Sequence, residues 1–152
     1  MTSTITVPTG FSWVAAALAS TTILLMGQSI TVSKHRAAAG IAYPQLYADK
    51  EEASKNPLAH KFNCVQRAHQ NTIENIAQVY MMTLVLSLTS PRAAATGLGL
   101  WIVSRVAYTV GYASGKPENR NNIFNMGTYL PGLLTLLGGS IYSAYTLVAA
   151  GI

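Results

Sequence analysis

FNCVQRAHQNTIE, residues 62 to 74, sets a cation, a carboxylate and several amides inside a segment whose surroundings read as membrane. In a helix, Arg67, Asn71 and Glu74 fall at i, i+4 and i+7 and share one face, with Gln70 and Gln78 on the same side. That face cannot meet lipid. An ionisable side chain at the bilayer centre costs roughly 2.5–3.5 kcal/mol on insertion scales, so Arg67 and Glu74 must face protein, water or a ligand.

The rest of the chain supplies the membrane setting. Half of its 152 residues are hydrophobic and 10% are charged, and mean hydropathy is +0.29. Such a composition suits a bundle of membrane helices better than a soluble globule. The length suits one domain, residues 1–152, without a separate catalytic domain. The net charge of +5 lies between apolar segments and is not interleaved with aromatics, so it reads as membrane topology and not as a nucleic-acid surface. Cys64 is the single cysteine, which forbids an intrachain disulfide or a thiolate metal cluster. His35, His60 and His69 have no metal-ligand spacing, and no metal is expected. The opening MTSTITVPTG lacks the basic region of a cleaved signal, so the first apolar segment is expected to be a retained span.

The expected fold is all-α: an integral membrane four-helix bundle with four transmembrane helices per protomer, at about 11–33, 58–89, 92–114 and 123–149. The first span is rich in small residues, which permit close helix packing, and Gln28 is its only strongly polar interior residue. The loop at about 34–57 carries more Lys and Arg than any other connection, which places it in the cytosol together with the loop at about 115–122. Both termini then lie on the opposite side. Asn56-Pro57 opens the second helix, and Ser90-Pro91 separates it from the third. In the third, Arg105, Tyr108 and Tyr112 follow i, i+3, i+7 on one face. Consecutive spans run antiparallel, so the polar faces of the second and third helices lie in the same cytosolic half and can meet. In the fourth span, Tyr129, Tyr142 and Tyr145 read as packing and interface residues.

These elements gather Arg67, His69, Asn71, Glu74, Arg105, Tyr108, Tyr112 and Arg120 at one membrane boundary, with Lys34 or Arg36 nearby. The set suits a small anion whose carboxylates meet arginines and whose ammonium meets Glu74, because charge-assisted pairs are the strong ones. Glutathione has that charge distribution, although spacing alone does not single it out among small anions. A guanidinium near its thiol would favour the thiolate, which is the nucleophile. Arg67 and Glu74 could equally neutralise one another within the bundle.

FNCVQRAHQNTIE, followed by a span and then by RVAYTVGY and GKPENR, resembles the membrane-associated proteins in eicosanoid and glutathione metabolism, the MAPEG family. Within it the best likeness is to the type-three microsomal glutathione S-transferases, carried by VSKHR, YPQLYAD and the FNC-QRAHQN block. The resemblance runs nearly the whole chain from the first helix onward. It implies a homotrimer in the endoplasmic reticulum membrane, with a glutathione site facing the cytosol at each subunit interface. It implies Arg67, His69, Asn71, Glu74, Arg105, Tyr108, Tyr112 and the loop residue Arg36 as glutathione-binding residues, with Lys34 a substitute for Arg36. Arg120 falls by position on the arginine that stabilises the thiolate. The chain departs from the family pattern at Asn75, where many members have tyrosine. Cys64 reads as structural.

The function implied is a membrane glutathione S-transferase that also reduces lipid hydroperoxides, with glutathione as co-substrate. Its hydrophobic electrophiles or lipid hydroperoxides would enter laterally from membrane lipid. The alternatives are a non-catalytic lipid-binding scaffold of the same superfamily and a structural bundle whose charges pair only internally.

Overall fold

The computed structural model describes residues 6–152; residues 1–5 of the opening MTSTITVPTG lie outside the described part. Five α-helices follow in order: α1 Phe11–Ala39, α2 Lys50–Lys55, α3 Pro57–Ser87, α4 Pro91–Ala113 and α5 Ile123–Ala149, with a 3-10 turn at Pro117–Asn121. The four long helices pack side by side as an antiparallel bundle: α4 lies against α1, α3 and α5, and α3 also touches α1 and α5.

α1, α4 and α5 are each long and apolar enough to cross a membrane, which makes this a multi-pass membrane protein. The expected second span, α3, is not among them. Its 31 residues exceed the length needed, but Arg67, Glu74 and the amides between them dilute its hydropathy.

The boundaries of α3, α4 and α5 fall within two residues of those expected. The first helix differs more. It continues to Ala39 instead of ending near Ser33, so Lys34 and Arg36 are helical. Ala37, Ala38 and Ala39 are strong helix formers, and Gly40 ends the helix with φ 72°, a left-handed conformation that favours glycine. The expected 34–57 loop therefore shortens and contains α2. Asp49 caps that helix by accepting from the Glu52 N–H at 2.7 Å, and the Glu52 carboxylate accepts from the Asp49 N–H at 2.8 Å. Asn56 caps α3 by accepting from the Leu58 N–H, with Pro57 at the first helical position.

The remaining loop is folded onto the bundle. Arg36 is buried and donates to the carbonyls of Gln45 at 2.6 Å and Leu46 at 3.4 Å. Its guanidinium lies between the rings of Tyr43 and Phe62, 4.4 and 4.6 Å from their centroids. Asn63 on α3 pairs with both backbone groups of Ala48, at 2.8 and 2.9 Å.

Inside and outside are arranged for lipid. Ile23, Val110, Phe124, Leu134, Ile141 and Val148 are exposed, while Thr21, Thr72, Thr83, Ser104 and Ser143 are buried. Most of the buried hydroxyls bond to the carbonyl three or four residues earlier on their own helix. Trp101, Leu98, Leu136, Val14 and Val79 fill the apolar centre. Helix α5 crosses α4 closely because Gly132 has no side chain: a Cβ there would stand 3.0 Å from the Gly97 carbonyl oxygen.

Gln28 joins three helices. It donates to Thr72 on α3 at 2.9 Å and to Thr109 on α4 at 2.7 Å, and its Oε1 lies 3.2 Å from His69 Nδ1. Gln28→Leu strips partners from all three and is expected to lower stability by about 1–2 kcal/mol. Thermal unfolding in detergent measures it, and a melting temperature at or above the wild-type value contradicts the role.

Candidate functional site

The polar faces of α3 and α4 do meet. Asn71 accepts a hydrogen bond from Arg105 Nη1 at 2.9 Å, which joins the two helices at the end of the bundle that holds the long loop. Arg105 is buried with only 4% of its surface exposed. Besides Asn71, it is surrounded by aromatic faces: Tyr108 at 4.5 Å, Tyr129 at 5.0 Å and Trp101 at 5.8 Å. These rings supply the electrostatic partner that lipid cannot.

Beside this contact is a cavity of about 390 Å³ whose walls include Asn71, Asn75, Arg105, Tyr108, Arg120 and Tyr129. It differs in kind from the apolar grooves elsewhere on the bundle. Two guanidiniums and several amides line it, and no carboxylate does. An anion of small-molecule size is the complement of such a lining.

Arg120 reaches this place from the turn between α4 and α5. Its Nη1 donates to the Pro117 carbonyl at 3.0 Å, and its guanidinium stands 5.7 Å from the Tyr112 ring. The C-terminal end of the turn is tied down twice. Asn122 donates to the Ala107 carbonyl of α4 at 2.9 Å, and Asn125 of α5 donates to the Arg120 carbonyl at 2.9 Å. Gly111 makes the close approach possible, since a Cβ there would lie 2.2 Å from the Asn119 carbonyl oxygen and 3.0 Å from Arg120 Cα.

The other expected site residues divide into three groups. Tyr112 adjoins the cavity, its ring 5.1 Å from that of Tyr108. Arg67 and Glu74 form an ion pair at 2.7 Å on the adjoining outer face of α3, their side chains 43% and 45% exposed. His69 and Arg36 lie elsewhere: His69 faces Gln28 between α1 and α3, and Arg36 holds the loop carbonyls. Lys34 is exposed on α1. Gln70, expected beside Arg67, turns to the loop and accepts from the Tyr47 hydroxyl. Burial pushes the Tyr47 phenol above its ordinary pKa, and neighbouring Arg67 opposes the shift. Cys64 is a buried free thiol packed near Ala68 and Tyr112.

Five cavity residues were not expected there: Asn75, Asn121, Asn125, Met126 and Tyr129. Asn75, singled out only as a departure, lines the wall and donates to the Asn71 carbonyl at 2.7 Å. Tyr129, read as a packing residue, contacts the guanidinium of Arg105. Asn125 carried no signal in an otherwise apolar helix beyond being its one amide.

An all-helical membrane bundle with a cationic cavity at one end defines the class of protein. A family model described as the MAPEG family matches residues 14–140, and the chain belongs to that family. The family includes glutathione transferases and peroxidases as well as non-catalytic members.

Gly111→Ala is expected to push the 3-10 turn off α4, at a cost of about 1–3 kcal/mol for an overpacked contact. Amide hydrogen exchange should quicken over residues 115–122 while the centre of α3 stays protected. Unchanged exchange in the turn would show that Gly111 does not set its position.

Proposed function

We propose that the protein is a membrane glutathione S-transferase of the type-three microsomal kind, with glutathione-dependent reduction of lipid hydroperoxides as a second activity. The observation that carries this reading is the pairing of Arg105 and Arg120 in one polar cavity, at the loop end of a bundle otherwise built for lipid. Arg105, Tyr108, Tyr112 and Asn71 would hold the tripeptide, and Arg120 would face its sulfur. The outer pair Arg67 and Glu74 extends the same polar surface along α3. An ion pair so exposed at membrane depth needs protein beside it. A second copy of the chain meets that need, and the homotrimer with glutathione at each subunit boundary is what the family resemblance implies for such copies. Such packing also gives α3 a place as the fourth span, with its polar face turned from lipid. His69, bonded to Gln28, and Arg36, bonded to the loop carbonyls, do not line this cavity.

The chemistry needs no side-chain base. The positive charge of Arg120 lowers the pKa of the bound thiol, whose proton passes to solvent, and leaves a thiolate. The thiolate forms a carbon–sulfur bond with an electrophile, whose leaving group departs with the electron pair. With a hydroperoxide, the thiolate attacks the outer oxygen and the O–O bond breaks. The alkoxide leaves with the electron pair and takes a proton from solvent to become the alcohol, and a second glutathione attacks the sulfur of the resulting glutathione sulfenic acid, releasing water and forming glutathione disulfide. An apolar groove of about 420 Å³ between α4 and α5, lined by Ile102, Val103, Val106, Val110 and Phe124, offers the lipid-soluble reactant a place near the cavity. In this reading the positive loops, and the site with them, would lie on the cytosolic face of the endoplasmic reticulum membrane.

The same groove also suits a non-catalytic lipid-binding scaffold, the second reading. The two readings differ on the thiolate. Titration of detergent-purified protein with glutathione is expected to give saturable thiolate absorbance in the ultraviolet difference spectrum. Arg120→Ala should lose that signal and lower turnover at least tenfold, with a smaller change in affinity. Unchanged turnover in the variant removes Arg120 from the mechanism, and no binding by calorimetry favours the scaffold.

A further inference from the structure

Among the described residues, three buried side-chain atoms have no hydrogen-bond partner: Arg36 Nε, Arg105 Nε and Asn125 Oδ1. Two of the three belong to residues that line the same cavity. One is a donor and the other an acceptor. Both residues are more than nine-tenths buried, with 4% of Arg105 and 6% of Asn125 exposed. An unpaired polar atom at such depth costs about 1–3 kcal/mol, and both atoms belong to residues of one cavity wall, where water or a bound molecule is the partner on hand.

The orientation of Asn125 is fixed by its neighbours. Its Nδ2 donates to the Arg120 carbonyl at 2.9 Å, so its oxygen is the free end of the amide. Its own backbone N–H is taken by Asn122 Oδ1 at 2.9 Å. The oxygen therefore asks for a donor from outside the chain. Arg105 Nε asks for an acceptor, since its Nη1 is already bonded to Asn71. An anion without a donor, such as chloride or sulfate, would satisfy the arginine and leave the asparagine unserved. A ligand carrying both an N–H and carboxylate or carbonyl oxygens satisfies both. A peptide has that chemistry.

We infer that Asn125 is a ligand-binding residue of the cavity: its Oδ1 accepts an amide N–H of a bound acidic peptide while Arg105 Nε donates to one of that peptide's oxygens. This rests on the glutathione reading and adds to it a contact from α5, which makes the site selective for a thiol carried on a peptide. The same asparagine ties the Arg120 backbone to α5, so a supporting role through Arg120 must be told apart from direct contact.

The test is Asn125→Leu, with Asn125→Ala in case the branched side chain fails to fit, each checked for wild-type thermal stability. Calorimetry reads the Kd for glutathione. Thiolate absorbance against pH reads the apparent pKa of the bound thiol, which follows Arg120. A Kd raised roughly tenfold with an unmoved thiol pKa is expected, because only the peptide contact is lost. A raised thiol pKa would show that Asn125 acts by holding Arg120, and an unchanged Kd would show that it does nothing for the ligand; each overturns the inference. Wild-type protein that binds no glutathione defeats the parent reading and this one with it, whereas wild-type binding with indifferent variants defeats this one alone.

Discussion

A guanidinium inside a membrane-crossing helix has to be given partners by the protein, and Arg105 is where this bundle meets that demand. Asn71 on α3 supplies the hydrogen bond, and Trp101, Tyr108 and Tyr129 supply aromatic faces. The arrangement fixes three helices relative to one another, since α3, α4 and α5 each contribute a side chain. It also leaves a cationic wall on one side, because none of the partners is a carboxylate. The charge is made tolerable to the bundle without being cancelled, so it remains available to an anion.

The packing around this point follows from the same solvent. Large aliphatic residues turn outward to lipid, while small and hydroxyl-bearing residues lie between helices. Close approach is bought with missing side chains at Gly132, where α5 crosses α4, and at Gly111, where the turn that carries Arg120 rests on α4. Gln28 adds a polar tie across α1, α3 and α4 through Thr72 and Thr109, the chain neighbours of Asn71 and Tyr108. The loop end is stiffened separately by Arg36, Asn63 and the capped helix α2. The cavity thus sits on helices that these contacts hold together with the Arg105 cluster of its own wall.

Helical periodicity and punctuation made most of this legible in the sequence. The i, i+4, i+7 spacing of Arg67, Asn71 and Glu74 and the i, i+3, i+7 spacing of Arg105, Tyr108 and Tyr112 located the two faces, and antiparallel order brought them together. Two local signals were present but weaker than the charge pattern that overrode them: Ala37 to Gly40 as a helix ending, and Asp49 with Glu52 as a capping box. Periodicity could not divide the polar residues of α3 among their neighbours. His69 faces α1, Gln70 faces the loop and Asn71 faces α4, a division decided by which helix packs on which side. Asn125 and Tyr129 were hidden for a related reason. A single amide or phenol in an apolar helix shows its purpose only when the facing helix is known.

The most direct measurement is an electron cryomicroscopy map of the protein in lipid nanodiscs with saturating glutathione. Density for the tripeptide between Arg105 and Arg120, with the sulfur toward Arg120, is the expected result. A cavity without ligand density, or glutathione bound on a surface that touches neither arginine, would contradict the assignment of this cavity as the site.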